Sequence, residues 1–122
     1  MDEKKKDNLQ NQLYQIRENK RIVEDSHEIL NDEYEYNIRK TNFILDQDYL
    51  SNEDRLFFIE KNMFLDMMHK KENRSYEEIS DELNMQSRKC EEELEEKEAE
   101  RIAAEKAAKE AEEAKEETKE GD

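Results

Sequence analysis

Proline is missing from all 122 residues, and glycine occurs once, at Gly121. These two residues are the usual punctuation of turns and helix ends. Without them helix can run a long way, and there is no glycine-rich phosphate loop. Tryptophan is absent too. The single cysteine, Cys90, excludes an internal disulfide framework and suits a reducing compartment. No apolar run approaches the ~20 residues of a membrane span, and the N-terminal MDEKKKDNLQ lacks the apolar stretch of a secretory signal. Basic residues are outnumbered 21 to 36, giving a net charge of −15. That balance offers no stripe to neutralise nucleic-acid phosphates and none to dock on anionic lipid. The expectation is a soluble cytoplasmic protein, or one exported with a partner and without a cleavable signal.

What is present is charge and helix-forming sequence. Charged residues make up 47% and hydrophobic residues 33%, too polar for a thick globular core but suited to elongated helices that each bury a stripe. Every alanine lies between Ala99 and Ala114 and every asparagine at or before Asn84, so composition changes near Glu91. Residues 91–122 hold 15 acids and 6 bases, and residues 1–90 hold 21 and 15. We therefore divide the chain into a folded part, 1–90, and an acidic Ala/Glu/Lys-rich tail, 91–122. The tail is expected to be a solvated helix fraying into disorder, its i,i+4 pairs partly helping and partly repelling. An acidic interaction tail is the alternative.

In the folded part Leu9, Ile16, Val23, Leu30 and Ile44 recur at seven-residue intervals, with Asn37 in the missing slot. Leu13, Lys20, His27, Tyr34 and Thr41 fall four residues later in each heptad. This seam predicts helix 1 over about 5–45. Ile22, Ile29, Tyr36 and Phe43 form a second series one residue ahead of the first, widening the apolar face. The segment DQDYLSNED supplies a turn over 46–51, where Ser51 and Asp54 resemble a capping box. Helix 2 is expected over about 52–97, continuous through His69–Ser75, where the pattern shifts phase. Folding at residue 48 or 49 pairs positions whose numbers sum to roughly 97, so that Leu30 meets Met67 and Tyr34 meets Met63. The expected fold is all-α: an antiparallel two-helix hairpin, coiled-coil-like, with a charged tail.

Between Leu56 and Met68 nine of thirteen residues are apolar. At about 100° per residue, Leu56, Met63 and Met67 share one face, taken as the inward one. Phe57, Phe64 and Met68 lie about 100° round from it, and Phe58 with Leu65 about 190° round. That arc exceeds what one partner helix covers, and an isolated pair of helices is marginal. Seven of nine aromatics lie between Tyr34 and Phe64, at the closed end of the hairpin. Exposed aromatics at this density mark a helix-binding surface. The residues expected to contact a partner are Ile22, Ile29, Tyr36, Phe43, Phe57, Phe58, Phe64, Leu65 and Met68.

His27 and His69, with Glu28 and Asp66 nearby, form a conceivable metal site. Such a site needs three or four converging ligands, so polar filling of the seam is the reading preferred, with no cofactor. Paired acids are plentiful, but a hairpin offers no shaped cleft to tune one for catalysis. No enzyme activity is expected.

Residues 8–30 (NLQNQLYQIRENKRIVEDSHEIL) and 34–68 (YEYNIRKTNFILDQDYLSNEDRLFFIEKNMFLDMM) together resemble the small LXG-associated α-helical proteins of Gram-positive bacteria, in size, helical pattern and hairpin break. The resemblance implies a targeting factor or chaperone that binds the helical N-terminal LXG domain of a toxin for type VII secretion, alongside a second small helical protein. The related WXG-type hairpins carry a Trp-x-Gly turn, which is absent here. Their C-terminal Tyr-x-x-x-Asp/Glu export signal has only internal counterparts, at Tyr14–Glu18 and Tyr49–Glu53. A partner within the toxin complex is thus implied, rather than the piece that carries the export signal. The competing class is a homo-oligomeric structural coiled coil, such as a scaffold or phage component.

Overall fold

A computed structural model describes residues 2–120, with side chains over 3–118. It is an all-α hairpin of two long helices, α1 (Asp2–Leu45) and α2 (Asn52–Glu120). By contact density the chain divides into two compact units, Met1–Ile16 with Met85–Asp122, and Arg17–Asn84.

The turn replaces glycine chemistry with side chains. No described residue has positive φ, so the left-handed cap that often ends a helix is not used. α1 has no basic residue in its last turn. Arg55, from the start of α2, supplies that charge: Nη1 donates to the Leu45 carbonyl at 2.7 Å and Nη2 to the Gln47 carbonyl at 3.1 Å. Gln47 Nε2 donates to the Phe43 carbonyl at 3.0 Å. A cation on orphan carbonyls at the negative end of a helix is stabilising. At the start of α2, Ser51 Oγ accepts from the Asp54 amide at 3.2 Å, and its carbonyl accepts from the Arg55 amide. Arg55→Ala should lower stability by about 1–2 kcal/mol, read by urea denaturation, because two charge-assisted bonds go at once.

In the Arg17–Asn84 unit the inward row of α1 is Lys20, Val23, His27, Asn31, Tyr34, Ile38, Thr41 and Leu45; that of α2 is Phe58, Asn62, Leu65, His69, Glu72, Tyr76, Ser80 and Leu83. Opposed positions sum to about 103, as the ring contacts His27–Tyr76 and Tyr34–His69 mark directly. The expected sum of 97 is corrected upward by about six, a relative slide of between one and two helical turns. Side chains lean toward the N-terminus of their own helix, so in an antiparallel pair those that touch come from higher residue numbers than the backbones lying level. Both helices also slip phase at one layer. α1 takes two successive four-residue steps, Val23–His27–Asn31, and α2 does the same at Glu72–Tyr76–Ser80. Such stutters locally unwind a heptad. Here they occur opposite each other, so register survives. The seam positions expected of Leu30 and Asn37 pass to Asn31 and Ile38, leaving Leu30 and Asn37 exposed. α2 continues through His69–Ser75 without a break.

The expected faces of α2 are reversed. Phe58 and Leu65 are half-buried on the inward row, whereas Leu56, Met63 and Met67 are exposed, Met63 at 68%. Continuing the Leu56–Met63–Met67 face along the helix would carry Lys70, Arg74 and Asp81 inward, since all lie near the same angle at about 100° per residue. Burying such charges without partners costs several kcal/mol. The face of Phe58 and Leu65 leads instead to Asn62, His69, Glu72 and Tyr76, which find partners on α1.

In the other unit Leu9, Leu13 and Cys90 are the buried apolar residues, and Cys90 Sγ lies 3.8 Å from Gln12 Oε1. Lys6 reaches Glu98 at 3.4 Å, and α2 runs on through the tail, expected as a solvated helix fraying into disorder, as far as Glu120. High helix propensity and pairs such as Arg101–Glu105, at 2.6 Å, favour the extension. The Arg101 guanidinium first, with Lys6 adding to it, holds the Glu98 carboxyl down at about 2. A lowered carboxyl pKa stabilises the fold above the ordinary carboxylate range, and that share is lost as pH falls toward 2.

Candidate partner-binding interface

The closed half of the hairpin holds a thin, polar interior beneath an apolar exterior. Inside, His27 Nδ1 donates to Glu72 Oε1 at 2.8 Å while its ring stacks on Tyr76, centroids 3.9 Å apart and 6° from parallel. One layer on, His69 Nε2 donates to Asn31 Oδ1 at 2.5 Å and its ring stacks on Tyr34 at 5.3 Å. Because carboxylate and amide oxygens only accept, these bonds fix the His27 tautomer with its proton on Nδ1 and the His69 tautomer with its proton on Nε2. Thr41 Oγ1 donates to the Asn37 carbonyl at 2.8 Å. Glu28 and Asp66 do not join the histidines: Asp66 pairs with Lys70 at 3.0 Å. Among the described residues no group of three His, Cys, Asp or Glu side chains is placed to hold a metal ion. The spacing of the two histidines gave no hint that Glu72 and Asn31 would be their partners; the inward phase was needed for that.

Outside, Ile22, Ile29, Tyr36 and Phe43 stand on the side of α1 turned away from α2, about 170° from the inward row. Each is more than half exposed. Phe57 and Phe64 are exposed on one flank of α2, with Met68 half-buried beside them. Phe57 meets the ring of Phe58 edge-on at 5.3 Å, and Phe58 in turn belongs to the interior. Of the nine residues expected at a partner surface, Phe58 and Leu65 are thus placed inside the hairpin. Leu56, Ile59, Met63 and Met67, not among the nine, lie on the exposed side of α2. A helix apolar all the way round is a buried helix, and α2 between Leu56 and Met68 is apolar all round while only one side of it is covered. Contiguous exposed apolar surface of this kind marks an interaction site.

Among the described residues no helix is long and apolar enough to cross a membrane. The chain matches no protein-family model, no curated protein and no solved structure.

Proposed function

We propose that this protein is a non-enzymatic helical adaptor, completing a bundle with the helical N-terminal domain of a partner. The observation that carries the reading is the row Ile22, Ile29, Tyr36 and Phe43: four large apolar residues at strict seven-residue spacing, on the side of α1 that α2 does not touch, all exposed. Seven-residue spacing is what a second helix reads when it lies along the first. Phe57 and Phe64 offer a separate surface on α2, so the adaptor engages more than one partner helix. Asp32 and Glu33 lie beside the row on α1, and basic residues beside the partner's apolar stripe would complement them; Glu18 and Asp25 are paired with Arg21.

The partner class we propose is the LXG-type toxin domain that the sequence resemblance implies, with the adaptor acting as targeting factor and chaperone for type VII secretion. The mechanism is mutual coverage: each protein hides the other's apolar stripe until delivery. Co-expression with the helical domain of an LXG toxin encoded beside it tests the reading. Stable co-purification of the two chains, with more of the toxin domain in the soluble fraction, is expected. Separate elution of two folded proteins would contradict it. A structural homo-oligomer is the competing class; it would saturate the same rows without any toxin domain.

A further inference from the structure

The outward side of α2 between Glu53 and Arg74 differs from the rest of this acidic chain. Its centre is apolar: Leu56, Ile59, Met63 and Met67, all exposed. Toward the N-terminal end lies Glu53, while Glu60 is exposed within the centre, between Ile59 and Met63. Toward the C-terminal end lie Lys70, Lys71 and Arg74, all exposed. With Asp66, itself paired to Lys70, this outward side carries three acids and three bases, so it is neutral inside a chain of net charge −15. Charge on this face also changes sign along it: Glu53 at one end, Lys70, Lys71 and Arg74 at the other, with an apolar centre that holds Glu60 and the Lys70-paired Asp66.

An isologous interface requires that if residue i meets residue j, then j meets i. A face that is acid–apolar–base satisfies this only against an antiparallel copy of itself. We infer that a second copy of this chain docks here, antiparallel, about a two-fold axis crossing α2 level with Lys61 and Asn62. In that register Leu56 faces Met67, Met63 faces Glu60 beside the axis, and Glu53 faces Lys70 and Lys71, each contact occurring twice. A parallel copy would set Glu53 beside Glu53 and the three bases beside their own kind, and like charges so placed repel. Removal of the four apolar side chains from water supplies the affinity. The rim charges, individually weak, select the orientation. The strongly acidic remainder of each chain discourages other modes of self-association. This surface is distinct from the Ile22–Phe43 row on α1, so the dimer stands or falls independently of toxin binding through that row.

Sedimentation equilibrium of the full chain tests it. The wild type should sediment at twice the 14.8 kDa chain mass. Met63→Glu, which sets two further carboxylates against the Glu60 pair beside the axis, should halve that mass with the helical circular dichroism unchanged. Glu53→Lys should weaken the dimer about tenfold, by turning two attractions into repulsions. Adding Lys70→Glu and Lys71→Glu to Glu53→Lys should restore it. In a Cys90→Ser background, Met63→Cys should oxidise to a disulfide-linked dimer. A wild type that is monomeric at every concentration, or a charge reversal that the compensating changes fail to rescue, would overturn the inference. So would a dimer that survives Met63→Glu.

Discussion

Phe58→Glu and Leu65→Glu should each collapse the helical signal of the isolated protein. Both residues belong to the inward row of α2, and both are half-buried. A glutamate there meets Ile38 and Leu45 positions that offer no partner, and an uncompensated charge in a partly buried site costs about 2–4 kcal/mol. The interior is thin: among the described residues only Leu9, Leu13, Thr41 and Cys90 are buried. A hairpin with so little core has a small margin of stability, so a loss of this size shifts most molecules to the unfolded state. Circular dichroism at 25 °C checks it. Met63→Glu and Met67→Glu, one face away and exposed, should leave the signal intact. If the two pairs of variants behaved alike, the phase assigned to α2 would be wrong.

The second large effect concerns the polar layer. His27→Leu should destabilise the hairpin by about 2–3 kcal/mol, because it removes the partner of Glu72 and leaves that carboxylate enclosed. Glu72 has a side chain only 17% exposed, and among the described residues its Oε2 already lacks a hydrogen-bond partner. The double variant His27→Leu/Glu72→Leu should recover most of that loss, since replacing both partners of a buried polar pair by apolar groups can be nearly neutral. Urea denaturation of wild type, both single variants and the double variant gives the coupling. Additive single effects would contradict the pairing. What the polar layer provides is register. His27, Asn31, Glu72 and Tyr76 sit where both helices take their extra four-residue step, so a one-turn slip would leave these groups mismatched. With the apolar pair in their place, the hairpin should be as stable but less uniquely aligned.

Much of this architecture was legible from residues that are rare. Without proline or glycine before Gly121, only the cluster around Asp46–Ser51 could interrupt helix, and α1 and α2 meet there, with Ser51 as the cap. The inward phase of α2 was not legible from Leu56 to Met68, because apolar residues occupy every side of that stretch and the wheel has no contrast. Contrast comes from further along: Lys70, Arg74 and Asp81 exclude one face, and His69, Glu72 and Tyr76 favour another. Register was missed for a different reason. Matching backbone levels across the turn ignores the lean of side chains toward their helix N-termini. The displacement of Leu30 by Asn31 could not be read either, since hydrophobicity alone favours the leucine. Only the hydrogen bond from His69 shows why an asparagine belongs there. For the partner surface, the Ile22–Phe43 row, Phe57 and Phe64 were recognisable as excess apolar residues, while Phe58 and Leu65 were drawn in with them by the same lack of contrast.

The proposed adaptor role requires the exposed row on α1 to bind a helical partner. Affinity of the toxin's helical domain for the wild type and for Ile29→Glu/Phe43→Glu, measured by isothermal titration, tests it most directly. Ile29 and Phe43 are 63% and 68% exposed, so the double variant should keep its helicity. Loss of two apolar anchors at an interface centre should weaken binding by about a hundredfold or more. Unchanged affinity in a folded double variant would contradict the account.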